Sequence, residues 1–159
     1  MSRSLVVKVT CGMGDPERAN QGFTVAASAI AMGVPVSLWL TGDAAWFALP
    51  DRADDMRLHG AAPLAELMEI VLSGGRITVC TQCAQRRGIG PDAVIPGIQI
   101  AGTALFTEEV LADDVQALVY CPRVSHAEVP RPALRGAPSG LAKWRVRPLE
   151  VARPALRLR

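Results

Sequence analysis

Two patterns of apolar residues alternate along this chain. Short, continuous apolar runs rich in β-branched residues are typical of strands buried in a sheet, whereas apolar residues at every third or fourth position are typical of amphipathic helices. The runs predict strands over residues 5–10, 36–40, 76–80, 99–101 and 117–121. The stretches between them predict helices over residues 16–32 and 63–73, with shorter helices after residue 81 and over 104–111.

The helix over residues 16–32 carries the clearest boundary signals. Asp15 stands at the capping position, and Pro16 suits the first helical residue because its missing N–H would have no partner inside the helix. Gly33 ends the helix. Strands that alternate with helices imply right-handed crossovers, a mainly parallel sheet and helices on both of its faces. We therefore predict an α/β fold, a three-layer sandwich around a mainly parallel five-stranded sheet.

The cysteines are concentrated at one edge of this predicted sheet. Functional groups of open α/β sheets are expected outside the carboxyl ends of the strands. Cys11 follows the first strand, while Cys80 and Cys121 end the third and the fifth. Cys83 stands one helical turn beyond Cys80. Three of the four thiols are therefore expected at the same edge.

Two loops at this edge supply further candidates for the lining of a pocket. The first is a glycine-bearing loop in which backbone N–H groups are free to hold an anion, although its glycine spacing fits neither a Walker loop nor a dinucleotide fingerprint. The second follows the second strand, and ordinary turn chemistry explains it equally well. The candidates are Cys11, Gly12, Asp15, Thr41, Gly42 and Cys121.

Composition and charge divide the chain into two parts. Its 159 residues, 50% of them apolar and 20% charged, suffice for one compact domain. Residues 1–121 carry 8 basic and 13 acidic side chains, and residues 122–159 carry 9 basic and 2 acidic ones together with six of the twelve prolines. Proline and like charges disfavour a packed core. We predict a domain over 1–121 and a basic, extended C-terminal extension over 122–159.

The apolar runs and the composition also indicate where the protein is located and what it binds. No apolar run reaches the roughly 18 residues of a membrane span, and the first residues lack the apolar core of a signal peptide. We therefore expect a cytoplasmic protein, which argues against disulfide scaffolding and for thiol chemistry. Because Trp144 is the one aromatic residue in the basic extension, nucleic-acid binding is disfavoured.

The segment over residues 79–89 contains the most informative chemistry. A strand delivers Cys80 to its exposed end, Thr81 is placed to cap the following helix, and Cys83 falls in the first turn, where free N–H groups favour an anion. Arg86 and Arg87 add positive charge about one turn later. These features predict that the cysteine pair supplies a thiolate. The two arginines would stabilise this thiolate or a persulfide formed on it.

Four interpretations of this cysteine pair stay open. Cys80 accepts sulfane sulfur as a persulfide, with Cys83 modulating or resolving it, or the two form a dithiol redox couple. Alternatively they supply half of a zinc site, completed by Cys121 and His126 or by Cys11. Finally, both are small buried hydrophobic residues. A lone C-x-x-C pair is weak evidence for zinc, so we expect no metal.

Three stretches resemble the DsrE/DsrF/DsrH-like family over roughly residues 4–121: residues 15–19, residues 36–42 and the segment from Cys80 to Gly88, which includes Arg-Arg-Gly. The resemblance implies a flavodoxin-like fold, assembly into trimers or hexamers, and sulfur transfer between a protein donor and a protein acceptor without an organic cofactor. Cys80 matches the position of the sulfur-carrying cysteine, and Cys83 matches a second cysteine of the predicted-peroxiredoxin branch. Some members lack the cysteine and act only as interaction subunits, so the resemblance leaves open whether this chain is a sulfurtransferase-like enzyme.

Overall fold

The computed structural model describes residues 3–121. The basic extension predicted over 122–159 lies outside the described residues, so the boundary at residue 121 stays a prediction. The strands are β1 (Ser4–Val9), β2 (Val36–Leu40), β3 (Arg76–Cys80), β4 (Gln99–Ala101) and β5 (Val115–Tyr120). The helices are α1 (Pro16–Ala31), α2 (Leu64–Gly74), α3 (Thr81–Arg86) and α4 (Thr103–Leu111), with 3₁₀ helices at Gly42–Ala48 and Pro91–Ala93.

The predicted elements are confirmed, with boundaries that differ by at most two residues. One difference matters for the thiols: β5 ends at Tyr120, so Cys121 follows the strand instead of ending it. The 3₁₀ helix Gly42–Ala48 was not predicted. Seven residues, most of them small, are too few to display a helical period of apolar positions.

The predicted capping role of Asp15 is wrong. Asp15 does occupy the N-cap position of α1, but its side chain makes no capping hydrogen bond. Its carboxylate instead lies 3.6 Å from the guanidinium of Arg18, one turn along the same helix. Asp15 therefore pairs with a side chain of the first helical turn and does not cap the helix.

All five strands are parallel, in the order β4-β3-β2-β1-β5. The α/β class and the parallel sheet are thereby confirmed. The chain adds β2, β3 and β4 successively on one side of β1 and then returns to place β5 on the other side. The direction of winding changes at this return, which makes the boundary between β1 and β5 the switch point of the sheet.

The two faces of the sheet are covered differently. Successive side chains of a strand point to opposite faces. In β2, Leu38 and Leu40 belong to the large core under α1 and α2, whereas Trp39 lies on the other face and packs edge-on against Phe106 of α4, with ring centroids 5.3 Å apart. Lys8 of β1 also faces α4, with its Nζ 4.5 Å from the centre of the Phe106 ring.

Helix α1 approaches the sheet closely over β1 and β5. A Cβ atom at Gly22 would lie 2.6 Å from the Val9 side chain and 3.2 Å from the Tyr120 ring. Only glycine fits this contact without displacing the helix. This close approach leaves no room for a larger side chain between α1 and the sheet next to the switch point.

Glu109 anchors α4 to the other face. Its carboxylate accepts hydrogen bonds from the hydroxyl of Ser37 at 2.7 Å and from the indole N–H of Trp39 at 2.8 Å. The same carboxylate pairs with Arg76 at the start of β3. Because the Glu109 side chain is only 11% exposed, these three donors compensate for taking the charge out of water. No helix in the described part of the chain is long and apolar enough to cross a bilayer.

We predict that Glu109→Ala lowers the free energy of unfolding by about 2–4 kcal/mol, because it leaves a buried hydroxyl, an indole N–H and a guanidinium without their shared acceptor. Urea denaturation of the two proteins measures the difference. Glu108→Ala is the matched control, since Glu108 is the exposed neighbour on the same helix and should change the value by less than about 0.5 kcal/mol. Equal urea midpoints for the two variants would contradict the anchoring role.

Candidate functional site

Cys80 stands at the carboxyl end of β3, where the strand passes directly into α3. Its backbone is still extended, with φ −64° and ψ 125°, and it is the N-cap residue of the helix. The preceding Val79 is fully buried, whereas Cys80 is half-buried and packs against the edge of the core. Cys80 is therefore the point at which β3 leaves the core and gains access to solvent.

The predicted capping role of Thr81 is wrong. Thr81 is the first residue of α3, and the helix has no side-chain hydrogen bond at its N-cap. The strand runs into the helix without an intervening residue, so the capping position falls on Cys80. Since α3 has only six residues, its dipole adds little to the electrostatics at Cys80.

Cys83 is buried on the inner side of α3. Its Sγ atom accepts a hydrogen bond from the backbone N–H of Gly42 at 3.2 Å. Gly42 follows the end of β2, the strand next to β3, which explains how residues so far apart in sequence meet. A backbone N–H that points at sulfur stabilises negative charge on it better than it stabilises a neutral thiol.

This contact depends on the special backbone conformation of Gly42. Its φ is +51°, and a Cβ atom there would lie 2.7 Å from the carbonyl oxygen of Thr10. Both facts favour glycine. The sequence identified Gly42 only as a residue that could line a pocket, and its role as a donor to Cys83 could not be found from the sequence because it requires the pairing of β2 with β3.

Arg87 connects α3 to the 3₁₀ helix Gly42–Ala48. One guanidinium nitrogen lies 2.7 Å from the Asp43 carboxylate, and the other donates to the carbonyl oxygen of Cys83 at 3.3 Å. The guanidinium also lies over the ring of Trp46, 5.9 Å from its centre. Arg86, by contrast, is exposed. Arg87 thus holds the backbone around Cys83 in place, and its charge is already paired with Asp43.

Thr41 is buried at the end of β2. Its hydroxyl donates a hydrogen bond to the carbonyl oxygen of Val9 at 3.4 Å, and its backbone N–H donates to the same oxygen at 2.9 Å. These bonds join the ends of β1 and β2. Thr41 therefore orients the loop that carries Gly42, and it contributes a supporting contact to the site.

The other two thiols lie at the switch point, on the far side of β2 from Cys80. Cys11 is 1% exposed, and its thiol donates to the carbonyl oxygen of Tyr120 at 3.7 Å. Burial raises the pKa of the Cys11 thiol, and the nearby charges of Asp15 and Cys121 raise it further. Cys121 itself is exposed. The predicted common edge is therefore occupied by two separate pairs of cysteines.

A cavity of about 380 Å³ lies between the loop after β1 and the 3₁₀ helix Gly42–Ala48, and its lining includes Asp43 but neither Cys80 nor Cys83. It is bordered by the charged groups of Asp43 and Arg52 and by the apolar surfaces of Met13 and Trp46. Gly12 lies behind it, where a Cβ atom would be 3.0 Å from Asp43. The loop after β1 and the 3₁₀ helix after β2 are thus packed together around a mixed polar and apolar opening.

The zinc interpretation finds no support among residues 3–121, where no group of three or more His, Cys, Asp or Glu side chains is placed to hold a metal ion. Strand β2 separates Cys80 from Cys11. His126, the other proposed ligand, lies outside the described residues.

Known proteins resemble the chain in sequence and in fold. The family model described as the DsrE/DsrF-like family matches residues 4–115. The uncharacterized protein MJ0760 of Methanocaldococcus jannaschii is 35% identical over 99 residues, which are 61% of this chain and 36% of that protein. This chain therefore spans only about a third of the length of that relative.

Two solved structures share the fold. The YchN protein of Escherichia coli has a TM-score of 0.58 at 20% identity, over 74% of this chain and all of that one. MTH1491 of Methanobacterium thermoautotrophicum, described as a protein of unknown function, has a TM-score of 0.57 at 11% identity, over 75% of this chain and 99% of that one. Since the family model covers well over half of the residues, the chain belongs to the DsrE/DsrF-like family.

Proposed function

We propose that this protein carries sulfane sulfur as a persulfide on Cys80. Membership of the DsrE/DsrF-like family suggests a function of the sulfur-relay type. The observation that supports Cys80 as the carrier is its position: it is half-buried at the end of β3, whereas Cys83 is 8% exposed beneath it. A carrier sulfur must be reachable by a second protein and yet shielded from solvent.

The proposed transfer needs no external oxidant. The thiolate of Cys80 attacks the outer sulfur of a persulfide on a donor protein. A bond forms between Cys80 and that sulfur, the sulfur–sulfur bond of the donor breaks, and the donor thiolate leaves. An acceptor thiolate then attacks the outer sulfur on Cys80, and the Cys80 thiolate is released. Protein donors and acceptors are thus part of the proposal.

Neighbouring residues have supporting roles in this proposal. Cys83, held by the N–H of Gly42, is placed one turn from Cys80 and resolves or modulates the persulfide. Arg86 is exposed beside the site and is free to pair with an anionic sulfur species or with a carboxylate of a partner. Arg87 acts through position, because its ion pair with Asp43 keeps the Cys83 turn in place.

We predict that incubation with a persulfide donor adds one sulfur atom to the peptide over residues 77–86 and that Cys80→Ala abolishes this addition. Intact-mass analysis followed by peptide mapping measures it. Cys121→Ala is the matched control, because it removes an exposed thiol outside this peptide and should leave the addition unchanged. Sulfur that persists in Cys80→Ala but is lost in Cys83→Ala would assign the carrier role to Cys83.

The arrangement of the pair also favours a second candidate function, dithiol redox chemistry. Cys80 is the N-cap residue and Cys83 the third helical residue, with the first half-buried and the second buried. Side chains three positions apart lie on the same side of a helix turn, and the C-x-x-C spacing is that of the dithiol motif of thioredoxin-like proteins. A hydroperoxide would oxidise Cys80 to a sulfenic acid and leave as an alcohol, after which Cys83 attacks and water leaves.

For this second function we predict an intramolecular bond between Cys80 and Cys83 after mild oxidation, seen as a loss of two hydrogen atoms from the peptide over residues 77–86. Both Cys80→Ser and Cys83→Ser should prevent it. If sulfur loading occurs and mild oxidation leaves both thiols free, the carrier function stands and the redox function is wrong.

Assembly into a homo-oligomer, a trimer or a hexamer, belongs to the same proposal. Apolar side chains stay exposed on the edge strand β5 and at the end of α4, where Val119 is 57% and Leu111 is 76% exposed. Within residues 3–121 β5 is an edge strand, and an exposed strand edge offers backbone groups for pairing with another chain.

We predict that Val119→Asp lowers the mass measured by light scattering, because a charge opposes burial of this edge. Met32→Asp, at an exposed position after α1, is the matched control and should leave the mass unchanged. A wild-type mass equal to that of one chain would refute the assembly.

A further inference from the structure

The thiols of Cys11 and Cys121 lie at the ends of neighbouring parallel strands. The backbone N–H of Thr10 donates to the carbonyl oxygen of Tyr120 at 2.9 Å, so the pairing of β1 with β5 continues to the residues just before the two cysteines. The hydroxyl of Thr10 donates to the same oxygen at 3.2 Å. Regular pairing ends there, because β1 ends at Val9 and β5 at Tyr120. Both cysteines lie beyond the strands, with Cys121 level with Thr10 and Cys11 one residue further along.

The Cα separation that follows suits a disulfide. In a regular ladder two such side chains would start on opposite faces of the sheet, so the bond requires the backbone beyond the strands to turn one thiol toward the other. Strands about 4.8 Å apart with a rise of about 3.3 Å per residue put diagonal Cα atoms roughly 6 Å apart. Disulfides span Cα distances of about 4.4–6.8 Å. The Sγ atom of Cys11 already lies 3.7 Å from the Tyr120 carbonyl oxygen, which belongs to the peptide group that leads into Cys121.

The two thiols differ in their exposure to solvent, and this difference favours formation of the disulfide in two steps. Cys121 is exposed, and Arg18 fixes its backbone by donating to its carbonyl oxygen at 3.0 Å. Cys11 is buried, which raises the pKa of its thiol and limits the access of reagents in solution. The exposed sulfur therefore reacts first, and the buried sulfur closes the bond.

We propose that Cys11 and Cys121 form a second dithiol pair, which a low-molecular-weight disulfide converts to an intramolecular disulfide at the switch point of the sheet. The Cys121 thiolate attacks one sulfur of the oxidant, whose sulfur–sulfur bond breaks and releases one thiolate. Cys11 then loses its proton and attacks the Cys121 sulfur, releasing the second thiolate. The two electrons pass from the protein to the oxidant.

The bond would tie the loop between β1 and α1 to the end of β5. That loop contributes Met13 and Gly14 to the cavity that Asp43 and Trp46 border. Oxidation at the switch point would thereby restrict the loop beside the cavity without involving Cys80 or Cys83. The modification is thus independent of the sulfur chemistry proposed above.

Trypsin allows a direct test, because it separates Cys11, the Cys80/Cys83 pair and Cys121 into peptides over residues 9–18, 77–86 and 88–123. The full chain is equilibrated with oxidised glutathione, quenched with acid, alkylated in denaturant and digested. We expect the peptide over 9–18 linked to the peptide over 88–123, and a higher thermal midpoint for the oxidised protein. The rate of closure should rise roughly tenfold per pH unit below the pKa of Cys11, because only the thiolate attacks.

Cys121→Ser is the matched variant, since an exposed position tolerates serine without loss of folding. It should abolish the linked peptide and leave the Cys11 thiol unmodified. The proposal would be overturned if Cys121 retained glutathione while Cys11 stayed reduced in the folded protein. A link between Cys11 and the peptide over 77–86 would overturn it as well.

Discussion

Parallel hydrogen bonding between strands is the constraint on which the rest of this structure depends. When all five strands run in one direction, every carboxyl end reaches the same edge of the sheet, and every connection must return along a face. The thiols therefore collect at one edge, although they are far apart in sequence. The order of the strands then separates them, because β2 lies between Cys80 and the pair at the switch point.

The immediate environment of the buried thiol arises from the neighbouring strand. Gly42 follows β2, and its left-handed backbone conformation directs an N–H group at the sulfur of Cys83. Arg87 and Asp43 fix the distance between α3 and the 3₁₀ helix that Gly42 begins. Of the two arginines that the sequence suggests as stabilisers of anionic sulfur, Arg87 has its charge paired with Asp43. The donor that contacts the sulfur of Cys83 is a backbone amide, that of Gly42.

Different interactions hold the helices on the two faces of the sheet. Under α1 and α2 the contacts are apolar and close, as the fit of Gly22 against Val9 shows. On the other face, α4 has no fully buried residue, and the carboxylate of Glu109 joins it to β2 and β3. A helix held in this way leaves apolar surface beside it, which is the surface that the proposed assembly would cover.

The sequence by itself determined the α/β class, nearly all of the helices and strands, and the placement of Cys80 at the end of a strand. These features follow from local patterns, because the period of apolar residues and the positions of proline and glycine act over a few neighbouring residues. The caps assigned to Asp15 and Thr81 were wrong, since an ion pair and a direct strand-to-helix junction override residue preference. Only the tertiary structure decided the strand order, the contact of Gly42 with Cys83 and the division of four cysteines into two pairs. Each of these depends on which strands lie side by side, and that pairing is set by packing between residues distant in the chain.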